Sequence, residues 1–241
     1  MKTIKSLALI LLGVLCMTSC ELDNYDYPES SLHGTFLDQE TGEAVQSDIY
    51  DGTRIGLIEI DEAYENPQKR YLIVKTDGTY QNDMMFDGLY AMPSIEDGNF
   101  HPTDSTTITI NGDTKIDFQV LPYIRITDVV FTAEPDDALL TATFKLEQTV
   151  DNSIDILDVS IFAHTEPTVG KPHRLSDEGG FLGAAAVPDS TYSITWKIGK
   201  DRALDEEDPY YFRVGAIIDM PGARYNYAQA ETIIVSPVTE E

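Results

Sequence analysis

From Leu32 onward the chain consists of short segments in which apolar and polar residues alternate, separated by pairs of turn-forming residues. A period of two places successive side chains on opposite faces of a β-strand, and no long segment with the 3.6-residue period of a helix competes with it. Strands are predicted at 32–37, 53–60, 71–76, 89–92, 106–110 and 115–121, and then at 124–133, 138–148, 154–165, 181–187, 191–199, 210–219 and 224–235. The fold class is therefore predicted to be all-β, with two tandem β-sandwiches.

The strands divide into two groups at Pro122, which predicts one sandwich over residues 32–122 and a second over residues 123–241. The second group has about seven strands, the number expected of an immunoglobulin-like sandwich. In the first group, Asn111-Gly112 is a pair that tolerates positive φ, so it is predicted to join two strands as a two-residue hairpin.

Residues 1–19 have the features of a bacterial lipoprotein signal peptide. Lys2 and Lys5 form a short basic region, and the apolar run 7–17 that follows is too short to span a bilayer as a mature helix. Small residues then lead directly to Cys20. Cleavage before Cys20 would leave a lipidated cysteine that tethers the chain to a membrane outside the cytoplasm.

Residues 20–31 are polar and acidic without hydrophobic periodicity, which predicts a flexible tether. The two cysteines of the chain are Cys16, inside the predicted signal, and Cys20, at the predicted lipidation site. No thiol then remains for a disulfide, so stability is expected to come from packed cores. The formal net charge of −26 makes nucleic acid a poor partner.

Patterns that identify common catalytic and metal sites are missing from the sequence. The four histidines, at 33, 101, 164 and 173, show no HExxH arrangement and no spacing typical of a zinc site. There is also no Gly-x-Ser-x-Gly, P-loop or dinucleotide-binding pattern. We predict a non-enzymatic protein with no catalytic residues, cofactor or metal, although 42 acidic residues leave a glycosidase-type carboxylate pair open. The acidic segment 201–208 is predicted to be a solvated loop, with calcium binding as the alternative.

The candidate ligand-binding residues are Arg224, Tyr225, Asn226 and Tyr227, where two aromatic residues alternate with polar ones just beyond a Met-Pro-Gly turn. An edge hairpin there would present rings on which a sugar can stack, with polar groups beside them. Half-buried hairpin tyrosines would explain the same pattern.

Other aromatic residues are predicted to fill the cores. Trp196 shares one strand face with apolar neighbours, which indicates that it is buried. Tyr80, Phe86 and Tyr90 are predicted to pack in the first sandwich.

Several segments carry family resemblances. Residues 32–36, followed by 41–45, resemble transthyretin-like or carboxypeptidase-regulatory-like sandwiches, and 77–80 and 86–90 are similar to later strands of those domains. Residues 210–235 are similar to the last two strands of fibronectin type III domains. The first of these resemblances implies a non-catalytic module.

The whole chain resembles a family of two-domain lipoproteins of unknown function encoded in Bacteroidetes polysaccharide-utilisation loci. The resemblance implies an outer-membrane lipoprotein, facing the cell exterior, that is an accessory of a Sus-type glycan-uptake system. Its partners would then be a polysaccharide, a TonB-dependent transporter and the lipoprotein that caps it. A structural spacer or adhesin-like surface lipoprotein is the alternative.

We expect the Cys20→Ala substitution to release the protein from membranes, because it removes the only thiol that can take lipid after signal cleavage. Membrane fractionation after expression in a bacterium with lipoprotein-processing enzymes measures this directly. Full membrane retention of the variant would contradict the lipoprotein interpretation.

Overall fold

The computed structural model describes residues 27–60, 66–134, 138–198, 204 and 209–234. The predicted signal peptide, Cys20 and most of segment 201–208 lie outside these residues. Every regular element in the described part is a β-strand, and they form two pairs of sheets. No helix in this part is long and apolar enough to cross a membrane. The prediction of an all-β chain with two tandem sandwiches is confirmed.

The first sandwich contains two four-stranded sheets. Its strands are β1 (Ser30–Asp38), β2 (Arg54–Ile60), β3 (Arg70–Ile73), β4 (Thr79–Met85), β5 (Gly88–Met92), β6 (Thr106–Ile110), β7 (Asp113–Lys115) and β8 (Phe118–Val120). In one sheet β1 pairs antiparallel with β4 and parallel with both β7 and β8. The other sheet has the order β3-β2-β5-β6. The core between them includes Phe36, whose ring stacks on Phe100 and Phe118 at centroid distances of 5.1 Å.

Gly34 in β1 has no side chain, so the segment that joins β7 to β8 can pass close to it. A Cβ at this position would collide with the carbonyl oxygen of Ile116, which accepts a hydrogen bond from the Tyr80 hydroxyl at 2.6 Å. The neighbouring Asp117 carboxylate accepts the Thr35 amide hydrogen at 3.0 Å. The predicted strand 115–121 is therefore interrupted at 116–117.

The predicted hairpin at Asn111-Gly112 is wrong. The strand before it, β6, pairs with β5, while the strand after it, β7, pairs with β1 in the other sheet. Gly112 has a φ of 58°, and its amide is held by Ser30 and Asp87, both at 3.0 Å. The flexible pair thus carries the chain from one sheet to the other.

The strands of the second sandwich are β9 (Ile124–Glu134), β10 (Leu139–Gln148), β11 (Ile156–His164), β12 (Ser176–Ala184), β13 (Thr191–Trp196), β14 (Pro209–Ile218), β15 (Asn226–Tyr227) and β16 (Glu231–Ile234). One sheet has three strands in the order β13-β10-β9. It packs on a larger sheet in the order β12-β11-β14, in which both β15 and β16 pair with β14. Trp196 is buried and meets Phe212 edge-on at 5.7 Å, as predicted for a core residue. The predicted strand 224–235 is divided into β15 and β16.

The two sandwiches meet through a buried arginine. Arg213, on β14, is 1% exposed, and each of its five N–H donors has an oxygen acceptor within 3.2 Å. Three acceptors come from the first sandwich and two from the second. They are the carbonyl oxygens of Ser47, Thr76, Val169 and Ala228 and the side-chain oxygen of Gln46. Burial lowers the pKa of Arg213 to about 10, so the guanidinium stays charged at neutral pH.

A second arginine joins the sandwiches nearby. Arg125, at the start of β9, forms a buried ion pair with Asp38, with Nη2 and Oδ1 3.1 Å apart. Glu40 and Glu147 each accept a further hydrogen bond from Arg125 at 2.7 Å. Burial alone would raise the pKa of Asp38, but the Arg125 hydrogen bond and the Glu40 amide outweigh it and hold the pKa below its usual value. Charged and neutral hydrogen bonds together fix the relative orientation of the two sandwiches.

We expect the Arg213→Ala substitution to lower the free energy of unfolding by about 3 kcal/mol or more, because it leaves three buried and two part-buried oxygens without their donor. Urea denaturation followed by fluorescence of Trp196, the only tryptophan, reports the stability of the second sandwich. Arg54→Ala is the matched control: Arg54 is exposed and donates to the Tyr50 carbonyl, so its loss should cost less than about 0.5 kcal/mol. Equal effects of the two substitutions would contradict the proposed role of Arg213.

Candidate functional site

The predicted ligand-binding residues 224–227 lie at the joint between the sandwiches and not on an exposed hairpin. Asn226 and Tyr227 are 3% and 6% exposed. The Tyr227 hydroxyl donates to Asp48 of the first sandwich at 2.9 Å and accepts the Lys171 amide hydrogen at 2.9 Å. Its ring lies 4.3 Å from the Arg213 guanidinium. Both the ring and the hydroxyl of Tyr227 therefore help to hold the joint, and ligand binding by this residue stays a prediction.

Asn226 binds backbone groups of both sandwiches. Its amide nitrogen donates to the Asn99 carbonyl at 2.8 Å, and its amide oxygen accepts the Ile124 amide hydrogen at 3.2 Å. The carbonyl of Tyr225 accepts a hydrogen bond from the Asn99 side chain at 3.3 Å. These contacts satisfy buried polar groups of both sandwiches, so the Asn226 side chain helps to hold the joint.

Tyr225 is half-buried and packs against Tyr227, with ring centroids 5.7 Å apart. Its hydroxyl donates a short hydrogen bond to Asp158, which also accepts from Ser160. Burial raises the pKa of the Tyr225 phenol far above its ordinary value, and the hydrogen bond to the Asp158 carboxylate raises it further. The ring also packs edge-on against Phe162, at a centroid distance of 5.7 Å.

Arg224 lines one open cavity, and Asn226 and Tyr227 line part of another at the joint. The Arg224 Nη1 atom lies 2.6 Å from Asp51 Oδ1 across the joint. The cavity at Arg224 has a volume of about 610 Å³, and its walls carry both signs of charge, from Arg54, Glu96 and Asp97 among others. The Arg224 Nε atom has no hydrogen-bond partner among the described residues.

A second cavity, on the first sandwich, combines exposed rings with polar side chains; we call it the aromatic groove. It lies where β3 and β4, the edge strands of the two sheets, run against each other, and its volume is about 370 Å³. Its floor is formed by four buried side chains: Leu57, Leu72, Met85 and Tyr90. Both sheets thus contribute to a preformed apolar floor.

The rim of the groove carries three exposed apolar side chains. Tyr71, Met84 and Phe86 are 62%, 68% and 40% exposed. The Tyr90 hydroxyl donates to the Phe86 carbonyl at 3.0 Å and holds the chain at this point. Tyr71 also lines the cavity that contains Arg224, so this residue lies between the two cavities.

Polar groups stand beside the rings. The amides of Asn66, Gln68 and Asn82 line the groove together with Arg70 and Glu59. Asn82 is oriented by its own strand, since its side-chain oxygen accepts the Met84 amide hydrogen at 3.0 Å. Glu59 is the single acid among the described lining residues, so this part of the groove lacks the facing carboxylate pair of a glycosidase.

Core predictions for the first sandwich are partly correct. Tyr80 and Tyr90 are buried, as predicted, but the prediction for Phe86 is wrong because the residue lies beside the Asp87-Gly88 turn at the open edge. No role was predicted for Tyr71 from the sequence. It alternates with Leu72, which is buried, and this period of two is the signal that places its ring outside the core.

Two of the four histidines lie together in the structure, although their spacing in the sequence did not indicate it. His164 and His173 are nine residues apart in the sequence, but their ring centroids lie 3.8 Å apart, and Glu166 is beside them. Sequence spacing missed the group because the turn that brings His173 back to the end of β11 has no recognised metal-site spacing.

Fold and groove together define a class: a two-domain all-β protein with a polar, hydrogen-bonded joint and an open aromatic groove on its first sandwich. The family model described as "Protein of unknown function (DUF3823) N-terminal domain" matches residues 30–121, and "Domain of unknown function (DUF3823_C)" matches residues 124–232. The chain belongs to the DUF3823 family. No curated protein matches it.

Three solved structures from related bacteria share this architecture. A "putative carbohydrate binding protein" from Bacteroides uniformis is 29% identical, with a TM-score of 0.76 over 86% of this chain and 99% of that one. A DUF3823 family protein from Parabacteroides merdae is 20% identical, with a TM-score of 0.71 over 86% and 100% of the two chains. One from Bacteroides ovatus is 22% identical, with a TM-score of 0.69 over 87% and 100%. The last two show the fold alone.

We expect Asn226→Ala to lower the free energy of unfolding by about 1–3 kcal/mol, because the Asn99 carbonyl and the Ile124 amide would lose their buried partner. Denaturant unfolding measures the loss. Asn82→Ala, at a half-buried position on the groove, is the control and should cost less. An Asn226→Ala protein of unchanged stability would contradict the structural role.

Proposed function

We propose that this protein is a non-catalytic, surface-exposed outer-membrane lipoprotein that binds carbohydrate in the aromatic groove, as an accessory of a Sus-type glycan-uptake system. The observation that carries the proposal is the groove itself, in which exposed rings of Tyr71 and Phe86 stand over an apolar floor beside several amide groups. Such a site has the composition that sugar recognition requires.

The chemistry of a pyranose ring matches this arrangement. One face of the sugar presents C–H groups that pack on an aromatic ring, and its hydroxyls exchange hydrogen bonds with amide and charged groups. Tyr71 supplies an exposed ring, while Gln68 and Asn82 offer both donors and acceptors. The volume of about 370 Å³ is at the lower end of the range of about 300–1,000 Å³ for small-ligand sites. The groove is of a size for one or two sugar units of a longer chain that continues into solvent.

The resemblance to the Bacteroides uniformis protein supports the ligand class. At 29% identity over nearly all of both chains, the relative described as a putative carbohydrate binding protein has the same two-sandwich architecture. The absence of a carboxylate pair among the described groove residues favours binding over hydrolysis.

The position of the groove supports a role close to the membrane. Pro28 forms part of its wall, only eight residues after Cys20. A fully extended chain covers at most about 3.6 Å per residue, so a lipid on Cys20 would hold the groove within about 29 Å of the anchor. A ligand bound there would be near a TonB-dependent transporter and its capping lipoprotein in the same membrane. Docking on that complex is the second candidate function of the groove.

We expect Tyr71→Ala and Phe86→Ala each to weaken polysaccharide binding by about tenfold or more, because each removes an exposed ring and its stacking area. Native gel electrophoresis of the purified full chain, in gels that contain one polysaccharide from a panel of plant, host and microbial glycans, measures the retardation. Tyr50→Ala is the matched control, since Tyr50 is 54% exposed but does not line the groove.

Retardation that is unchanged by both groove substitutions would overturn the assignment of the groove. If no glycan retards the protein, purification from detergent-solubilised outer membranes tests the docking function. Recovery of a transporter that Tyr71→Ala abolishes would favour docking, and recovery of none would favour the structural spacer.

A further inference from the structure

Two imidazoles and a carboxylate converge at the end of β11 on the second sandwich. His164, Glu166 and His173 each offer one ligand atom, and these atoms all lie within 4.8 Å of one another. His173 Nε2 is 3.0 Å from Glu166 Oε2. We propose that these three residues form a binding site for a divalent transition-metal ion of the zinc type.

The donor set selects the class of ion. Two imidazole nitrogens and one carboxylate oxygen suit Zn²⁺ and neighbouring transition metals, whereas Ca²⁺ and Mg²⁺ prefer sites built from oxygen. Three protein ligands leave the fourth position of a tetrahedral ion for water or an outside ligand. The Glu166 side chain is 62% exposed, so an ion can enter from solvent on that side.

The fold holds the histidines in place before any ion binds. His164 is the last residue of β11 and lies opposite Tyr211 of β14. His173 closes a turn in which its backbone and that of Gly170 exchange two hydrogen bonds of 3.1 Å. Such preorganisation reduces the entropy lost when an ion is bound.

The turn is itself anchored on the joint between the sandwiches. A Cβ on Gly170 would collide with the Asp48 carboxylate, and the amide of the next residue, Lys171, donates to the Tyr227 hydroxyl at 2.9 Å. The Tyr50 ring of the first sandwich lies 5.0 Å from the His173 ring. Both sandwiches therefore contribute to the position of His173.

Electrostatics favour a cation at this place. The nearby cations Lys171 and Arg174 are paired with Asp177, at 3.2 and 2.9 Å. The net charge of −26 further attracts divalent cations to the protein surface.

One existing hydrogen bond opposes metal binding. His164 Nδ1 accepts the Glu166 amide hydrogen at 3.0 Å. A metal on Nδ1 would take the lone pair that accepts this hydrogen, and a metal on Nε2 would leave the proton on Nδ1, so either mode breaks the bond. We therefore expect micromolar affinity and not the tighter binding of a closed structural zinc site.

Isothermal titration of the untagged full chain with Zn²⁺ tests the site, and the visible absorption of bound Co²⁺ reports its nitrogen and oxygen ligands. His173→Gln and Glu166→Gln should each weaken Zn²⁺ binding by about tenfold or more. The Glu166 variant keeps the proposal testable if the His173 turn tolerates no change, because the Glu166 side chain is largely in solvent. An excess of Mg²⁺ should not displace the bound Zn²⁺.

His33→Asn is the matched control. His33 Nδ1 lies 3.2 Å from Asp113 and so forms an imidazole–carboxylate pair, but the cluster at 164–173 is the one group of three such ligands among the described residues. This variant should bind Zn²⁺ as the unmodified protein does. A protein that binds no Zn²⁺, or one in which Glu166→Gln and His33→Asn bind it equally well, would overturn the proposal.

Discussion

Arg213 places a positive charge between the two sandwiches with almost no exposure to solvent. Moving a guanidinium out of water is costly unless every donor finds an acceptor, and here all five do. The acceptors come from separate segments of both sandwiches, so the cation is satisfied only when the two are docked in one orientation. The Tyr227 ring over the guanidinium and the Asp48 carboxylate beyond it extend the same network.

This joint decides which part of the surface is left for function. It uses Tyr225, Asn226 and Tyr227, whose alternation of rings and polar groups is the pattern of a sugar site when it lies on an exposed hairpin. The aromatic groove, by contrast, is formed within the first sandwich alone and takes no side chain from the joint. The histidine cluster depends on the joint indirectly, because the Gly170–His173 turn rests on Asp48 and Tyr227.

Some assignments follow from local alternation and others do not. Trp196 is buried because its strand face is apolar, and that pattern is visible in its own segment. The Asn111-Gly112 pair has the same local preference in a hairpin as in a crossover between sheets. The pair forms a crossover because β7 pairs with β1, which lies about eighty residues away in the sequence. Phe86 is a similar case, since its exposure follows from its position at the open edge between two sheets.

Alternation of apolar and polar residues by itself determined that this chain is all-β and forms two sandwiches, because the period of two is a property of each strand. Composition likewise indicated a highly acidic protein without a disulfide framework. Tertiary structure alone decided where the functional surfaces lie. Tyr71 and Phe86 line one groove because two sheets pack on each other, and His164 and His173 lie together at a turn that rests on the joint around Arg213. Local periodicity carries no information about such pairings, since many partners satisfy the same alternating pattern equally well.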